Sequence, residues 1–204
     1  VRVLAIDTAT SSCSVGLVDG GRLVARRTAA GPQAAQQALG LADACLREAG
    51  WTIADVERIA VGRGPGSFTG LRIGLATARG LGVGLGVDVI GAGTLDALLL
   101  AIPGAIAAVD ARRGEVFAAA PGVAARACAP DGLAALAADG GLVVGDGALA
   151  WRELLEAAGA VVPDDPELHV PSPAAIAQLA EATPQPSTPL YLRAPDAVPA
   201  GGPS

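Results

Sequence analysis

Apolar residues fall in short blocks over the first thirty positions, and the polar breaks between them sit where turns are expected. Val1 to Asp7 is almost continuously apolar, which predicts a strand buried on both faces. Cys13 to Val18 follows after a polar turn, and Gly20-Gly21 leads as a tight hairpin into Arg22 to Thr28, so the chain opens with three antiparallel strands. From Gln33 to Ala49 the pattern changes to a three- and four-residue repeat. Ala35, Leu39, Ala42 and Leu46 lie on one face, with Ala34, Ala38, Leu41 and Cys45 beside it, and Gly50 ends this predicted helix. Thr52 with Asp55 has the spacing of a capping box, and Arg58 to Gly62 reads as the next strand. A glycine-rich loop leads into a helix from Ser67 to Leu85. A strand at Val87 to Ile90 follows, and then a helix capped by Thr94 that ends before Pro103.

The pattern then restarts. Ala105 to Asp110 is an apolar strand ending in Asp, and Arg112-Arg113-Gly114 turns into Glu115 to Ala120, as Leu4 to Asp7 leads to Ser14 to Leu17. This similarity hints at an internal duplication, although Asp at a turn also has a plain structural reading. Beyond it come a helix near Asp131 to Ala138, a strand Leu142 to Val144, a Gly145-Asp146-Gly147 turn, and a helix through Trp151 to Ala158. Pro173 opens one more helix, to Ala182. Residues 183–204 read as a Pro- and Gly-rich tail with one ordered island, Tyr191-Leu192-Arg193, and a disordered end.

Composition removes chemistry from the list. All 14 basic residues are Arg, against 20 acidic residues, giving a net charge of −6. Lacking Lys, the chain forms no lysine Schiff base and has no Walker lysine. The net charge argues against a protein that binds nucleic acid on its own by neutralising phosphates. The cysteines, Cys13, Cys45 and Cys128, form no C-x-x-C pair, and small buried residues in a reducing compartment are expected. No apolar run reaches the ~18–20 residues of a membrane span, and no leader-like segment opens the chain, so a cytoplasmic setting without membrane association is expected. His169 is the one His, which gives poor support to a metal site or a catalytic triad.

The most informative stretch is Val61 to Gly82, VGRGPGSFTGLRIGLATARGLG. Its glycines at 62, 64, 66 and 70 surround a strand end and a helix start, where backbone amides can face an anion. The spacing is neither that of a dinucleotide fingerprint nor that of a nucleophile elbow. Inside the helix Gly70 and Gly74, and then Ala76 and Gly80, are four apart, and each interior Gly costs roughly 0.5–1 kcal/mol. Two explanations compensate for that cost: close packing within the chain's own core, or a shallow docking face for a partner helix edged by Arg72 and Arg79. Asp7, Thr8, Thr10, Ser11 and Ser12 make a polar hairpin tip that has a structural reading as a capped turn and a functional one as an anion seat.

LAIDTATSSCSVGLVDGG, RIAVGRGPGSFTGLRIGLATARGLG, VDARRGEVFAA, the GDGA at Gly145 and the YLR near the end resemble, in the same order, the bacterial TsaB (YeaZ) family. The resemblance implies an α/β, two-lobed actin-like ATPase fold (ASKHA, ribonuclease-H-like) with duplicated strand-hairpin-helix lobes. The lobes would span residues 1–102 and 103–172, with a helix at 173–182 returning to the first. It also implies a non-catalytic accessory subunit that binds and activates TsaD. TsaD is the enzyme that transfers threonylcarbamoyl to the adenosine next to the anticodon in tRNAs reading codons that begin with A.

The implied partners are TsaD and the ATPase TsaE, with tRNA reached only through the complex and a homodimer formed when the chain is alone. No metal or cofactor of its own is expected, and ATP or ADP would lie at the complex interface. In the family the pairing uses the two first-lobe helices, which here suggests Leu39, Ala42, Leu46, Arg72, Gly74, Leu75, Ala78 and Arg79. On this reading Gly74→Leu or Ala78→Glu would abolish pairing without unfolding the monomer. Anion or nucleotide contacts would fall on Asp7, Thr8, Ser11, Ser12, Gly64, Gly66 and Ser67. One departure stands out: where relatives begin the first helix with a His-Ser-Glu-like segment, this chain has Gly31-Pro32-Gln33-Ala34. The competing readings are a free-standing phosphotransferase or carbamoyltransferase using Asp7 and Asp110, and a metallopeptidase.

Overall fold

The computed structural model describes residues 1–192. Arg193 and the expected disordered end lie outside the described residues. Strands β1 (Arg2–Asp7), β2 (Ser12–Asp19) and β3 (Arg22–Ala30) form the antiparallel opening. On the other side of β1, β4 (Arg58–Gly62) and β5 (Asp88–Ala92) add in parallel, giving the order β3-β2-β1-β4-β5. The second sheet repeats this plan. There β6 (Ile106–Asp110) and β7 (Val116–Ala120) form a hairpin, β8 (Val123–Cys128) extends it, and β9 (Val143–Val144) lies parallel on the far side of β6. Matching strand orders carry the internal duplication much further than the two strand-Asp-hairpin segments do.

The central strands bury both faces. Leu4 and Ile6 of β1, with Ile59 and Val61 of β4, face a core closed by α1 (Ala38–Ala49) and α2 (Phe68–Leu85). Val3, Ala5 and Ala60 face the opposite layer, made by α3 (Thr94–Ala101) and α7 (Pro173–Ala182). Gly16 lets α7 close in, since a Cβ there would stand 2.7 Å from Pro173 Cβ. Helix α3 also joins the lobes: Ala97 packs on the first sheet, while Leu95 and Leu98 pack on Ala107 and Val109 of the second. On the outer face of the second sheet lie α4 (Pro130–Ala137) and α6 (Arg152–Ala157), anchored by Leu133 and Leu155, with α5 (Asp146–Ala150) beside them.

Several expectations change. The first helix starts at Ala38, preceded by a 3-10 turn at Ala34–Gln37, because Gln33 supplies no side-chain cap after Pro32. The cap position of α3 belongs to Gly93, and the Thr94 hydroxyl is engaged elsewhere. Gly145-Asp146-Gly147 is more than a turn: Gly145 sits at φ 101 and Asp146 starts α5. Strand β8 was not expected, as its alternate residues are half exposed and mostly Ala. Residues 184–192 form an ordered strap rather than part of a tail, with β10 (Gln185–Pro186) pairing antiparallel to β5. Arg63 Nε donates to Thr188 O at 3.0 Å, Arg79 donates to Ser187 O, and Leu190 N donates to Arg63 O at 2.7 Å. No hydrophobic periodicity announces a strap held by side chains of another element.

Candidate functional site

The sequence-predicted hairpin tip and glycine loop do come together, and they do so by interlocking. Asp7 ends β1 with its carboxylate lying over Gly62 of the next strand, where a Cβ would stand 1.9 Å from Oδ2. Its Oδ1 accepts from Ala9 N at 2.9 Å and its Oδ2 from the Thr94 hydroxyl at 2.8 Å. Thr94 in turn grips Gly64, accepting from its N at 3.2 Å and donating its own N–H to Gly64 O at 2.9 Å. Burial pushes the Asp7 carboxyl up to about 6, against the lowering effect of the Ala9 and Thr94 hydrogen bonds, and Asp146 adds a smaller upward push.

Helix α2 sits on the hairpin tip through a row of glycines. A Cβ on Gly66 would stand 2.1 Å from Ala9 O, on Gly70 2.2 Å from Thr8 O, and on Gly74 2.1 Å from Thr8 Oγ1. Only a surface without side chains lets the helix approach the tip backbone this closely. The contact is also bonded: the Thr8 hydroxyl donates to Gly70 O at 2.8 Å, and Ser67 N donates to Ala9 O at 2.7 Å. Ser67 caps α2 by accepting from Gly70 N at 3.3 Å.

Asp146 holds the lobes to each other. Its Oδ2 accepts from Ser11 N at 2.7 Å in the first lobe, and its Oδ1 accepts from Asp110 N at 3.0 Å in the second. Burial raises its pKa, opposed by these two amides. Asp110 accepts from Arg112 N and pairs with the Arg112 guanidinium at 3.1 Å. The amides of Ala9, Ser11, Ser12, Gly64, Ser67 and Gly70 thus all have acceptors inside the chain. A phosphate arriving there would have to displace them.

Of the expected anion contacts, Thr8, Ser11 and Ser67 line a cavity of about 440 Å³ with Thr69, Ile73 and Arg112. Asp7 is buried, and Gly64 and Gly66 are not among the cavity's lining residues but pack against Leu71 and Ala9. Ser12 bonds to Thr10 and is not among the cavity's lining residues. Thr94 and Asp146 are the site residues that the sequence reading passed over. Asp146 stood inside the quoted GDGA, whereas the pattern around Thr94 pointed only to a helix cap.

The expected interface residues divide. Ala42, Leu46, Leu75 and Ala78 belong to the chain's own core, and Gly74 is buried against Thr8. Gly74→Leu or Ala78→Glu would therefore disrupt the fold itself. Leu39, Arg72 and Arg79 are exposed. Also exposed are Gly40, Asp43, Arg47 and Glu48 on α1, and Ala76, Gly80 and Val83 on α2, the last 86% exposed, and Gly80 and Gly84 have open space around them.

The other candidate groups are structural. Burial pushes the Cys13 thiol up to about 12, with Asp7 adding to it, and the Cys45 thiol up to about 11; neither suits a nucleophile. His169 is buried, with Nδ1 3.1 Å from Gly145 O and Nε2 2.9 Å from Pro163 O. Among the described residues no three His, Cys, Asp or Glu side chains gather as metal ligands.

Two duplicated lobes, each an antiparallel hairpin continued by a parallel strand, define the actin-like class of α/β fold. Residues 28–129 match the family described as TsaD: tRNA N6-adenosine threonylcarbamoyltransferase. The chain is 41% identical over 123 residues to the Escherichia coli tRNA threonylcarbamoyladenosine biosynthesis protein TsaB, a match covering 57% of this chain and 53% of that protein. It therefore spans about half the length of that relative. It is 37% identical over 203 residues to an uncharacterized Mycobacterium bovis protein, covering 97% of this chain and 94% of the relative. The crystal structure of YeaZ from Pseudomonas aeruginosa superposes with a TM-score of 0.71 at 27% identity, over 94% of this chain and 99% of that one. The chain belongs to the TsaB (YeaZ) family.

Proposed function

We propose that the chain is an accessory, non-catalytic subunit in threonylcarbamoyladenosine formation on tRNA, binding and activating a TsaD-type transferase, with TsaE as the associated ATPase. One observation carries the non-catalytic part: the amides of the hairpin tip and the glycine loop that could face a phosphate are taken by Asp7, Thr10, Ser67, Thr94, Asp146 and Ala9 O of the chain itself. The link to tRNA modification is supported by the family and by the name of the Escherichia coli relative.

The docking face on this reading is the exposed side of α1 and α2, with Leu39, Ala76, Gly80 and Val83 at its centre and Arg72 and Arg79 on its border. Small residues at its centre admit a partner helix at close range. Activation follows if the partner's competent state binds this face more tightly than its idle state does. A homodimer on the same face is the expected form of the chain without its partner. ATP or ADP held at the complex interface would find Arg112 and the hydroxyls of Ser11 and Ser67 in the cavity beside α2. A cytoplasmic setting goes with this role. No helix among the described residues is long and apolar enough to cross a membrane.

Reconstitution tests the proposal. Transferase and ATPase should modify tRNA only when this chain is added, and the chain alone should neither modify tRNA nor hydrolyse ATP. Activity from the chain alone, abolished by Asp7→Ala, would establish the enzyme reading instead.

A further inference from the structure

The strap side of α2 carries chemistry that the core does not use and that meets the docking face only at its border, through Arg72 and Arg79. Phe68, Arg72 and Arg79 fall within about 40° of one another around the helix, since each residue advances it by about 100°. They border the strap formed by residues 184–192. Phe68 is 49% exposed and Tyr191 41% exposed, with ring centroids 5.7 Å apart at an interplanar angle of 31°. The Arg72 guanidinium lies over the Phe68 ring, 3.6 Å from its centroid. Arg63 and Arg79 reach the same strap through Thr188 O and Ser187 O.

The chain has only five aromatic residues, two Phe, two Trp and one Tyr, and two of them are stacked on the surface here. Its net charge is −6, yet this flank gathers three arginines, and among the described residues none of the three forms an ion pair with a carboxylate. Asp96 shares a cavity of about 270 Å³ with Arg63 without pairing to it. A guanidinium has five N–H donors, so bonds to one or two strap oxygens leave donors facing outward. Local positive charge beside stacked aromatic faces is the chemistry that holds an unpaired base and its flanking phosphates.

We infer that this flank is an RNA contact, with the exposed ring of Tyr191, backed by Phe68, stacking an unpaired base while Arg72, assisted by Arg63 and Arg79, receives the adjacent phosphates. The inference rests on the accessory role in tRNA modification proposed above and gives the chain a direct part in holding the substrate. The strap is what makes the site, because it carries Tyr191 from the far end of the chain to the start of α2.

The test is an anisotropy titration of a fluorescein-labelled anticodon stem-loop RNA against the chain mixed with its transferase, over a range of salt concentrations. Tyr191→Leu keeps apolar bulk without the aromatic face and should weaken binding about ten-fold. Arg72→Gln should lower the slope of log affinity against log salt by about 0.7. Arg22→Gln, on β3 at the opposite edge of the first sheet, should change neither. Tyr191→Leu and Arg22→Gln should still co-elute with the transferase, and Arg72→Gln, at the border of the docking face, is titrated at transferase concentrations that keep the complex formed.

Unchanged RNA affinity and salt slope in Tyr191→Leu and Arg72→Gln would overturn the inference. So would loss of co-elution in Tyr191→Leu, which would make the flank a protein contact. Failure of the accessory reading shows separately, as tRNA modification that does not depend on the chain, while the binding titration stands as its own measurement.

Discussion

Replacing Gly74 and Gly80 by Ala, one at a time, separates a helix face built for the chain's own hairpin from one left open. At either position the extra methyl favours the helix by roughly 0.5–1 kcal/mol. At Gly80 nothing lies within 4 Å of the added Cβ, so that gain should appear as net stabilisation. At Gly74 the Cβ would stand 2.1 Å from Thr8 Oγ1, 3.2 Å from Thr8 Cβ and 3.3 Å from its Cγ2. Thr8 is 1% exposed and tied to Gly70 O at 2.8 Å, so turning its side chain away gives up a buried hydrogen bond, at about 1–3 kcal/mol. Moving the helix instead overpacks the site at a similar cost, about 1–3 kcal/mol.

After the propensity gain, Gly74→Ala should destabilise by about 1 kcal/mol, and the two variants should differ by about 2 kcal/mol. Urea denaturation followed by tryptophan fluorescence measures this as a lower midpoint for Gly74→Ala and a higher one for Gly80→Ala. Thr8→Ala should be less harmful in the Gly74→Ala background than alone, with a coupling of about 1 kcal/mol. Equal stability of the two glycine variants would refute the packing argument.

Ionisation of Asp7 gives a pH signature. Its folded pKa of about 6 lies above the ordinary value of 3.8, so the associated stability is full below about pH 4 and is lost as pH rises through 6. The loss amounts to about 3 kcal/mol, and Asp7→Asn should flatten the stability profile between pH 4 and 7 when unfolding is measured across that range. Asp146→Ala leaves two amides without acceptors and should destabilise by about 3 kcal/mol, with faster hydrogen exchange at Ser11 and Asp110. Trp51 packs on the first core and Trp151 on the second, so single-tryptophan versions of Asp146→Ala should show the two lobes unfolding at separate midpoints. On the docking face, Gly80→Leu or Val83→Glu should abolish co-elution with the transferase at least ten-fold below wild type, with an unchanged circular dichroism spectrum.

Local pattern was enough for most of the elements. Gly50 and Gly86 end their helices in the left-handed conformation, and the Thr52–Asp55 capping box forms as its spacing predicts. The restart at Ala105 foreshadowed the second sheet. What the pattern left open was which side of a small-residue helix faces inward, because Gly70, Gly74, Ala76 and Gly80 look alike until the hairpin tip is placed against the first two. The same limit applies to Thr94 and Asp146. Their partners lie 87 and 135 residues away along the chain, at Asp7 and Ser11, and no spacing rule reaches that far. The strap escaped notice for the opposite reason, since its Pro-rich composition suggested a tail and its anchors are arginines of other elements.

The strap also decides how the first sheet ends. Without it, β5 would be an edge strand presenting unpaired N–H and C=O groups to any passing chain. With it, the outermost strand is Gln185–Pro186, two residues long, flanked by Pro184 and Pro189. Prolines have no N–H to offer, so a further strand finds little to pair with. The sheet closes against growth at this edge, and a chain cut before Pro184 should trade that closure for a tendency to polymerise.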